Sequence, residues 1–326
     1  MKLDHSISLV RKRLHTFIKS WPESLAGEFL EHYNKPQLLS RHQINCRPAN
    51  PEYPVWVLLP SWLLDKYSFN RKLKLRNFLE DLLWAQFCLF FFMRIQDDLF
   101  DGHTENTSLI FASNLFFLEA QNTLSQHFRS LSGFWPIFRD SIKTSWQSIV
   151  ETATLQNRFV TSPSKLIAGY AGTAALFNIG IAALCTKCRQ MNKFPLFAGF
   201  ITEMIIAGQI IDDLQDIEED FQNGKYNYAA NLLLRHYGIR VIKKRYISEQ
   251  IRKAIFISDG INSVFREVRR HLTLAEQAIA GTGIPEARSL IQNYQAGMDK
   301  LQTSFYRNRV KFFFAGLKGI KSGYKS

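Results

Sequence analysis

The chain has 326 residues, 46% of them apolar, which excludes a disordered polypeptide and suits one large domain or two modest ones. Lys and Arg number 41 against 28 Asp and Glu, so the formal charge is +13 and an anionic partner is expected: nucleic acid, a membrane surface or a phosphorylated small molecule. Four cysteines are too few for a disulfide scaffold at this length, and Phe, at 27 residues, is in excess of ordinary usage.

The segment Met1 to Trp21 carries Arg11-Lys12-Arg13 among scattered apolar residues and has no apolar run of the secretory kind. A reducing cytoplasm is therefore the expected location. Six of the ten prolines lie before residue 61, which predicts two short helices and an irregular wrap over residues 1–60. Beyond Pro60, helical patterns run over 71–101, 107–130, 136–160, 164–188, 196–222, 249–281 and 285–316, with Pro136, Pro163, Pro195 and Pro285 at their boundaries. No alternating β-branched run bounded by hairpin turns is visible, so strands are not expected. The uncharged stretch Leu82–Met93 is too short to span a bilayer. Leu166–Thr186 is long enough, but it is rich in Ala and carries Gly169, Gly172, Thr173, Asn178 and Gly180, so it reads as a buried central helix. Cys185 and Cys188 form a lone CxxC with no second pair and read as thiols on that helix. The expected fold class is all-α, a single-domain bundle of long antiparallel helices around a central apolar cavity. Residues 1–60 form the wrap, 61–316 the helical core and 317–326 a basic tail.

The acids of this basic chain are clustered. One group is Asp97-Asp98-Leu99-Phe100-Asp101 and the other runs from Asp212-Asp213 to Asp216, Glu218, Glu219 and Asp220; both follow strongly apolar helical stretches. Helical spacing puts Asp97 with Asp101 on one face, and Asp212, Asp216 and Asp220 on another, with Glu219 beside them. Like charges stacked at i,i+4 destabilise a helix and invite a counter-ion, and hard oxygen ligands in this number suit Mg²⁺ or Mn²⁺. Read alone, either cluster is equally a solvated helix end. Two of them after apolar helices describe a carboxylate rim over an oily cavity, a site for a hydrocarbon with a diphosphate head.

Three stretches together resemble the class I isoprenoid synthases: prenyl diphosphate synthases, squalene and phytoene synthases, and class I terpene synthases. Arg94-Ile-Gln-Asp97-Asp98-Leu-Phe-Asp101-Gly102 looks like the first DDxxD and its RxxDDxxDG form. Ala171-Gly172-Thr173-Ala174-Ala175-Leu176-Phe177 resembles AGTVGL and KTAxLF, with Gly172 at the Lys position. Gln209-Ile-Ile-Asp212-Asp213-Leu-Gln-Asp216-Ile-Glu-Glu219-Asp220-Phe-Gln-Asn-Gly224-Lys225 resembles the second acidic motif. The departures discriminate among branches. Asp101 is followed by Gly102-His103-Thr104-Glu105 rather than a basic pair, and no GKxxRP precedes residue 71, which weighs against chain elongation. Leu166 and Gln215 stand where head-to-head enzymes carry Tyr and Arg, which weighs against that condensation.

What the resemblance implies is a terpene synthase that ionises an allylic prenyl diphosphate of C15 to C25, with head-to-head condensation and then elongation as alternatives. It implies three Mg²⁺ ions, with Mn²⁺ as a substitute, held by Asp97, Asp98, Asp101, Asp212, Asp216, Glu219 and Asp220. Candidate diphosphate contacts are Arg94, Arg158, Lys225, Tyr306 and Arg307; Arg94 reads equally as a salt bridge to its neighbouring acids. Candidate cavity residues are Phe87, Phe90, Phe91, Gly172, Thr173 and Gln209, where the aromatic faces would guide a carbocation or, for any single Phe, simply fill the core. Expected partners are the prenyl diphosphate, a second copy in a homodimer, and anionic lipid touched by the basic C-terminus around Phe312-Phe313-Phe314. Basic runs such as Lys243-Lys244-Arg245 are present, but no nucleic-acid motif accompanies them, so nucleic acid is not an expected partner.

Overall fold

A computed structural model describes residues 3–33, 53–67, 72–160, 162–236 and 260–322. These residues form helices and no strand. The chain opens with α1 (Leu3–Lys19) and α2 (Glu23–Tyr33), then α3 (Val55–Tyr67) and the long α4 (Lys72–Phe100). There follow α5 (Leu109–Ser125), α6 (Phe134–Gln156), α7 (Ser164–Cys188), α8 (Phe194–Gln215) and the short α9 (Ile217–Gln222). The described part ends with α10 (Tyr228–His236), α11 (Gly260–Ile279) and α12 (Pro285–Ser322). Helix α12 runs six residues past the expected end, into the segment read as a tail, and residues 249–259 of another expected helix lie outside the described residues.

Apolar stripes explain the layering. The Leu82–Met93 stretch of α4 is buried apart from Phe90, with Leu83, Ala85 and Cys88 fully enclosed. Helix α7 is central and packs on α3, α4, α6 and α8. Its length and apolarity, like those of Met191–Gln215, would suffice to cross a membrane, but Ile181, Ala182 and Ala183 are enclosed by neighbouring helices. Two glycines make the α6–α7 seam unusually close: a Cβ on Gly169 would fall 1.9 Å from Thr152 Oγ1, and one on Gly172 1.7 Å from Ser148 Oγ. One expectation fails in α3, where Pro60 sits inside the helix rather than in irregular chain. It supplies no N–H to the turn below, and the burial of Val57, Leu59 and Leu63 holds the helix together around it.

Candidate functional site

Both acidic segments end in the same way. Gly102 has φ 71° and Gly224 φ 78°, the left-handed conformation that costs glycine least. At the first, His103 N–H donates to Asp98 O (2.8 Å) and Gly102 N–H to Leu99 O (3.3 Å); at the second, Lys225 N–H donates to Asp220 O (2.8 Å) and Gly224 N–H to Phe221 O (3.1 Å). Each is a Schellman stop, in which glycine reverses the chain and satisfies the last carbonyls. Each therefore places an Asp-rich helix C-terminus, the negative end of the helix dipole, beside a residue able to carry positive charge, His103 or Lys225.

The two ends face one cavity of about 390 Å³. Asp97 and Arg94 reach it from α4, Asp101 and His103 from the turn that follows, and Asp212, Asp213 and Gln209 from α8. Asp216, Asp220 and Lys225 close the same side, while Thr152 and Gln156 of α6 and Tyr170 and Thr173 of α7 form the opposite wall. The helix expected over 196–222 is interrupted at Asp216 (φ −95°, ψ 6°), yet its N–H still donates to Asp212 O, and Asp220 N–H to Asp216 O, so the three aspartates keep to one side.

Electrostatics follow from this crowding. Burial and the neighbouring Asp101 push the Asp97 carboxyl up to about 6, against the pull of Arg94. Asp220 is also raised, by burial, and is partly compensated by Asn227, whose Nδ2 donates to it at 2.7 Å. Across the mouth, Lys225 Nζ lies 2.8 Å from Asp101 Oδ2. Among the described residues no three acids, histidines or cysteines come close enough to hold an ion unaided. Carboxyls raised by burial and, less, by like-charged neighbours nonetheless fit a hard cation such as Mg²⁺, which takes one or two carboxylates and completes its shell with water or phosphate.

Several expected site residues lie elsewhere. Asp98 is 3% exposed and does not line the cavity. It stands about 100° around the helix from Asp97, and its oxygens are taken by Tyr33 Oη (2.8 Å), Arg94 Nη2 (3.0 Å) and His103 Nδ1 (3.4 Å). Arg94 thus combines its two readings, an ion pair with Asp98 and a place on the cavity wall. Glu219 is exposed and off the lining, as is Arg158 beyond the end of α6. Tyr306 bonds Asn262 and Arg307 is exposed, neither at the cavity. Phe87 and Phe91 are core residues and Phe90 is half-buried against them; none is on the cavity lining, and Phe90 stacks on Trp56 and Phe91 on Phe116. Gly172 contributes through the α6–α7 seam, whereas Thr173 and Gln209 do line the cavity.

Other residues of the site were not singled out from the sequence. Asp213 is buried, accepts hydrogen bonds from Tyr170 Oη (2.5 Å), Tyr228 N–H (2.9 Å) and Gln209 (3.4 Å), and has its carboxyl pushed up to about 7 by burial. Asn227 donates to the Asp213 carbonyl at 2.8 Å and so ties the chain beyond α9 back to α8. Tyr170 shares the i,i+3 row of Thr173, which is the one clue the sequence held.

No family model matches the chain, and no curated protein matches it by sequence. Solved structures do resemble it. The octaprenyl pyrophosphate synthase of Helicobacter pylori superposes with a TM-score of 0.66 at 16% identity, over 90% of this chain and 99% of that one. The chain has the class I isoprenoid synthase fold. A geranylgeranyl pyrophosphate synthase from Corynebacterium glutamicum gives 0.63 at 14% identity, over 91% and 92% of the two chains. A polyprenyl synthase from Roseobacter denitrificans gives 0.59 at 14%, over 91% and 99%.

Proposed function

We propose that this class I isoprenoid synthase fold carries a metal-dependent enzyme that ionises an allylic prenyl diphosphate. One observation carries the reading: Asp97 and Asp101 from one segment and Asp212, Asp216 and Asp220 from another line a single cavity with Arg94 and Lys225. These carboxylates would hold the Mg²⁺ ions, or Mn²⁺ in their place. When bound, such ions supply Lewis acidity to the leaving oxygens. The chain's own part is to orient the diphosphate between the two helix ends and to offset its charge with Arg94 and Lys225. The walls of Thr173, Tyr170 and Ile205 then confine the allylic cation.

A terpene synthase, acting on one substrate, is the outcome the cavity residues favour. Arg94 and Lys225 are the only Lys or Arg on its described lining, too few to seat a second diphosphate as elongation requires. The names of the three similar structures favour elongation instead. Incubation with Mg²⁺ and single allylic diphosphates of C10 to C25, followed by gas chromatography–mass spectrometry of a hexane extract, separates the two. Hydrocarbon or alcohol from one substrate supports the terpene synthase; product only with added isopentenyl diphosphate supports elongation, and a C30 or C40 hydrocarbon the head-to-head reaction. A homodimer is supported by the exposed apolar side chains Phe111 and Leu118 of α5 and Trp146 and Val150 of α6, and sedimentation velocity tests it. The side chains of the basic C-terminus proposed to touch lipid lie outside the described residues.

A further inference from the structure

The end of the bundle away from the carboxylates is built from two turns that meet. Phe78, in the second turn of α4, packs on His127 and Phe128 at ring distances of 5.0 and 6.0 Å, so the α5–α6 turn lies beside the start of α4. From Phe78 to Asp97 that helix rises about 28 Å. Lys187 brings the α7–α8 turn to the same place: its Nζ donates to the His127 carbonyl at 3.2 Å and lies over the Phe78 and Phe128 rings. Lys193 Nζ in turn donates to Tyr67 Oη at 3.2 Å, which joins the end of α3 to this group.

This end is basic and apolar at once. No Asp or Glu occurs between Glu119 and Asp140 or between Glu151 and Glu203, the stretches that carry the two turns. Arg129 and Arg189 are exposed. Leu131 is 97% exposed, and Met191 and Leu196 are exposed as well. Asp65 of α3 and Glu286 of α12 reach the same end, where Lys66 Nζ donates to the Gly283 carbonyl, and are outnumbered by Lys66, Arg129, Lys187, Arg189 and Lys193. Both turns are fixed from within: Trp135 Nε1 donates to Arg129 O at 3.0 Å, and Thr186 Oγ1 to Met191 Sδ at 3.4 Å. Arg189 closes α7 at φ 57°, and among the described residues no other except glycine has a positive φ. Glycine adopts this conformation at less cost, so an exposed cation is held where the backbone alone favours no side chain.

An anionic bilayer supplies partners for both features, headgroups for the cations and acyl chains for Leu131. A soluble polyanion supplies only the first. The same surface repels the carboxylates at the far end, so charge orients the bundle. We infer that the α5–α6 and α7–α8 turns together form a docking surface for an anionic lipid bilayer, with Leu131 inserted below the headgroups and the acidic cavity facing the aqueous phase. The inference does not depend on the reaction proposed for the cavity. It places the lipid contact on these turns instead of on the basic C-terminus around Phe312-Phe313-Phe314.

Co-sedimentation of the full-length protein with vesicles tests this. One set is phosphatidylcholine alone and the other contains about one third phosphatidylglycerol. Wild type is expected to partition onto the anionic vesicles at least tenfold more strongly, and salt near 1 M, where the screening length is about 3 Å, should release most of it. Arg129→Gln with Arg189→Gly should lower partitioning about 25-fold, at about fivefold for each cation near the surface. Arg189→Gly should at the same time raise the melting temperature, because it relieves the left-handed backbone, so a loss of binding is not a loss of folding. Leu131→Ser should lower partitioning about tenfold, since it withdraws an apolar side chain from the bilayer. Equal partitioning of wild type onto both vesicle sets, or onto neither, overturns the inference. So does wild-type binding by the double variant. Wild-type binding by Leu131→Ser would mean a polyanion site rather than a bilayer contact, and overturns it too. Glutamine at Lys318, Lys321 and Lys325 should leave partitioning within about threefold of wild type; a larger loss there than in the double variant would return the contact to the C-terminus.

Discussion

The Lys225 ammonium lies 2.8 Å from the Asp101 carboxylate, so the residue that follows the second acidic segment is paired with the last aspartate of the first. Both side chains are largely buried, at 18% and 20% exposure, which makes this pair less screened than a surface ion pair. It ties the two Schellman turns to one another and keeps a cation at the cavity mouth. Lys225→Met should lower kcat/KM for the allylic diphosphate at least tenfold, and Lys225→Arg should retain more activity than Lys225→Met because it preserves the charge. Steady-state diphosphate release checks both, and equal activity in Lys225→Met and wild type would remove Lys225 from the site.

The two aspartates of the first motif should separate cleanly. Asp97 faces the cavity, whereas Asp98 is enclosed by Tyr33, Arg94 and His103. Asp97→Ala and Asp216→Ala should each cost about 10³-fold in turnover, corresponding to several kcal/mol of lost charge stabilisation. Chelation with EDTA should abolish activity, and Mg²⁺ or Mn²⁺ should restore it. Asp98→Asn should leave the metal dependence in place and instead lower the melting temperature, since it weakens a buried charge-assisted network worth about 1–3 kcal/mol. A titration of activity against Mg²⁺, run beside thermal melts, distinguishes the two behaviours.

The α6–α7 seam sets the position of the wall formed by Thr152 and Thr173. Gly169→Ala would bring a methyl to 1.9 Å of Thr152 Oγ1 and 3.2 Å of its Cβ, and a β-branched side chain cannot swing far to make room. The expected loss is about 1–3 kcal/mol of stability. Because Thr152 Oγ1 has no hydrogen-bond partner among the described residues, deleting it should sacrifice little. The double variant Gly169→Ala with Thr152→Ala should therefore recover most of the loss. Urea unfolding of the four proteins of this cycle measures the coupling directly, and additive losses would show that the seam is not what Gly169 protects.

The helical fold and the meeting of the two acidic segments were legible because their signals are local. A long apolar run such as Leu82–Met93 dictates a buried helix, and aspartates four apart share a face in any helix. What stayed hidden depends on partners distant in the sequence. Asp97 and Asp98 adjoin in the sequence, and the partners that turn Asp98 away include Tyr33, 65 residues upstream, beside the local Arg94 and His103. Helical phase placed Phe90 correctly beneath Asp97, but Trp56, arriving from another segment, covers its ring face. The break at Asp216 had no warning either, since no glycine or proline marks it. Asp213 is the reverse case: its neighbour Asp212 drew attention as a ligand, while its own role depends on Tyr170 and on the backbone of Tyr228.

Asp213 also carries a pH signature whose sign is fixed. Burial pushes its carboxyl up to about 7, despite hydrogen bonds from Tyr170, Gln209 and the Tyr228 N–H. In the unfolded chain the same group ionises near 3.9. Between these values the native protein keeps a proton that the unfolded chain has released, so ionisation opposes folding. Asp213 thus favours the native state most below about pH 4, and this contribution declines until pH has risen through about 7, a loss on the order of 4 kcal/mol. Asparagine at this position cannot ionise and keeps an oxygen for the Tyr170 hydroxyl. The unfolding free energy of Asp213→Asn relative to wild type should therefore rise between pH 5 and pH 8, by about 2–3 kcal/mol. Using the difference between the two proteins cancels every other titrating group, and EDTA in the buffer keeps metal from biasing either one. A difference that stays flat across this range would mean that the carboxylate is already ionised at pH 5, held so by its three donors against the cost of burial.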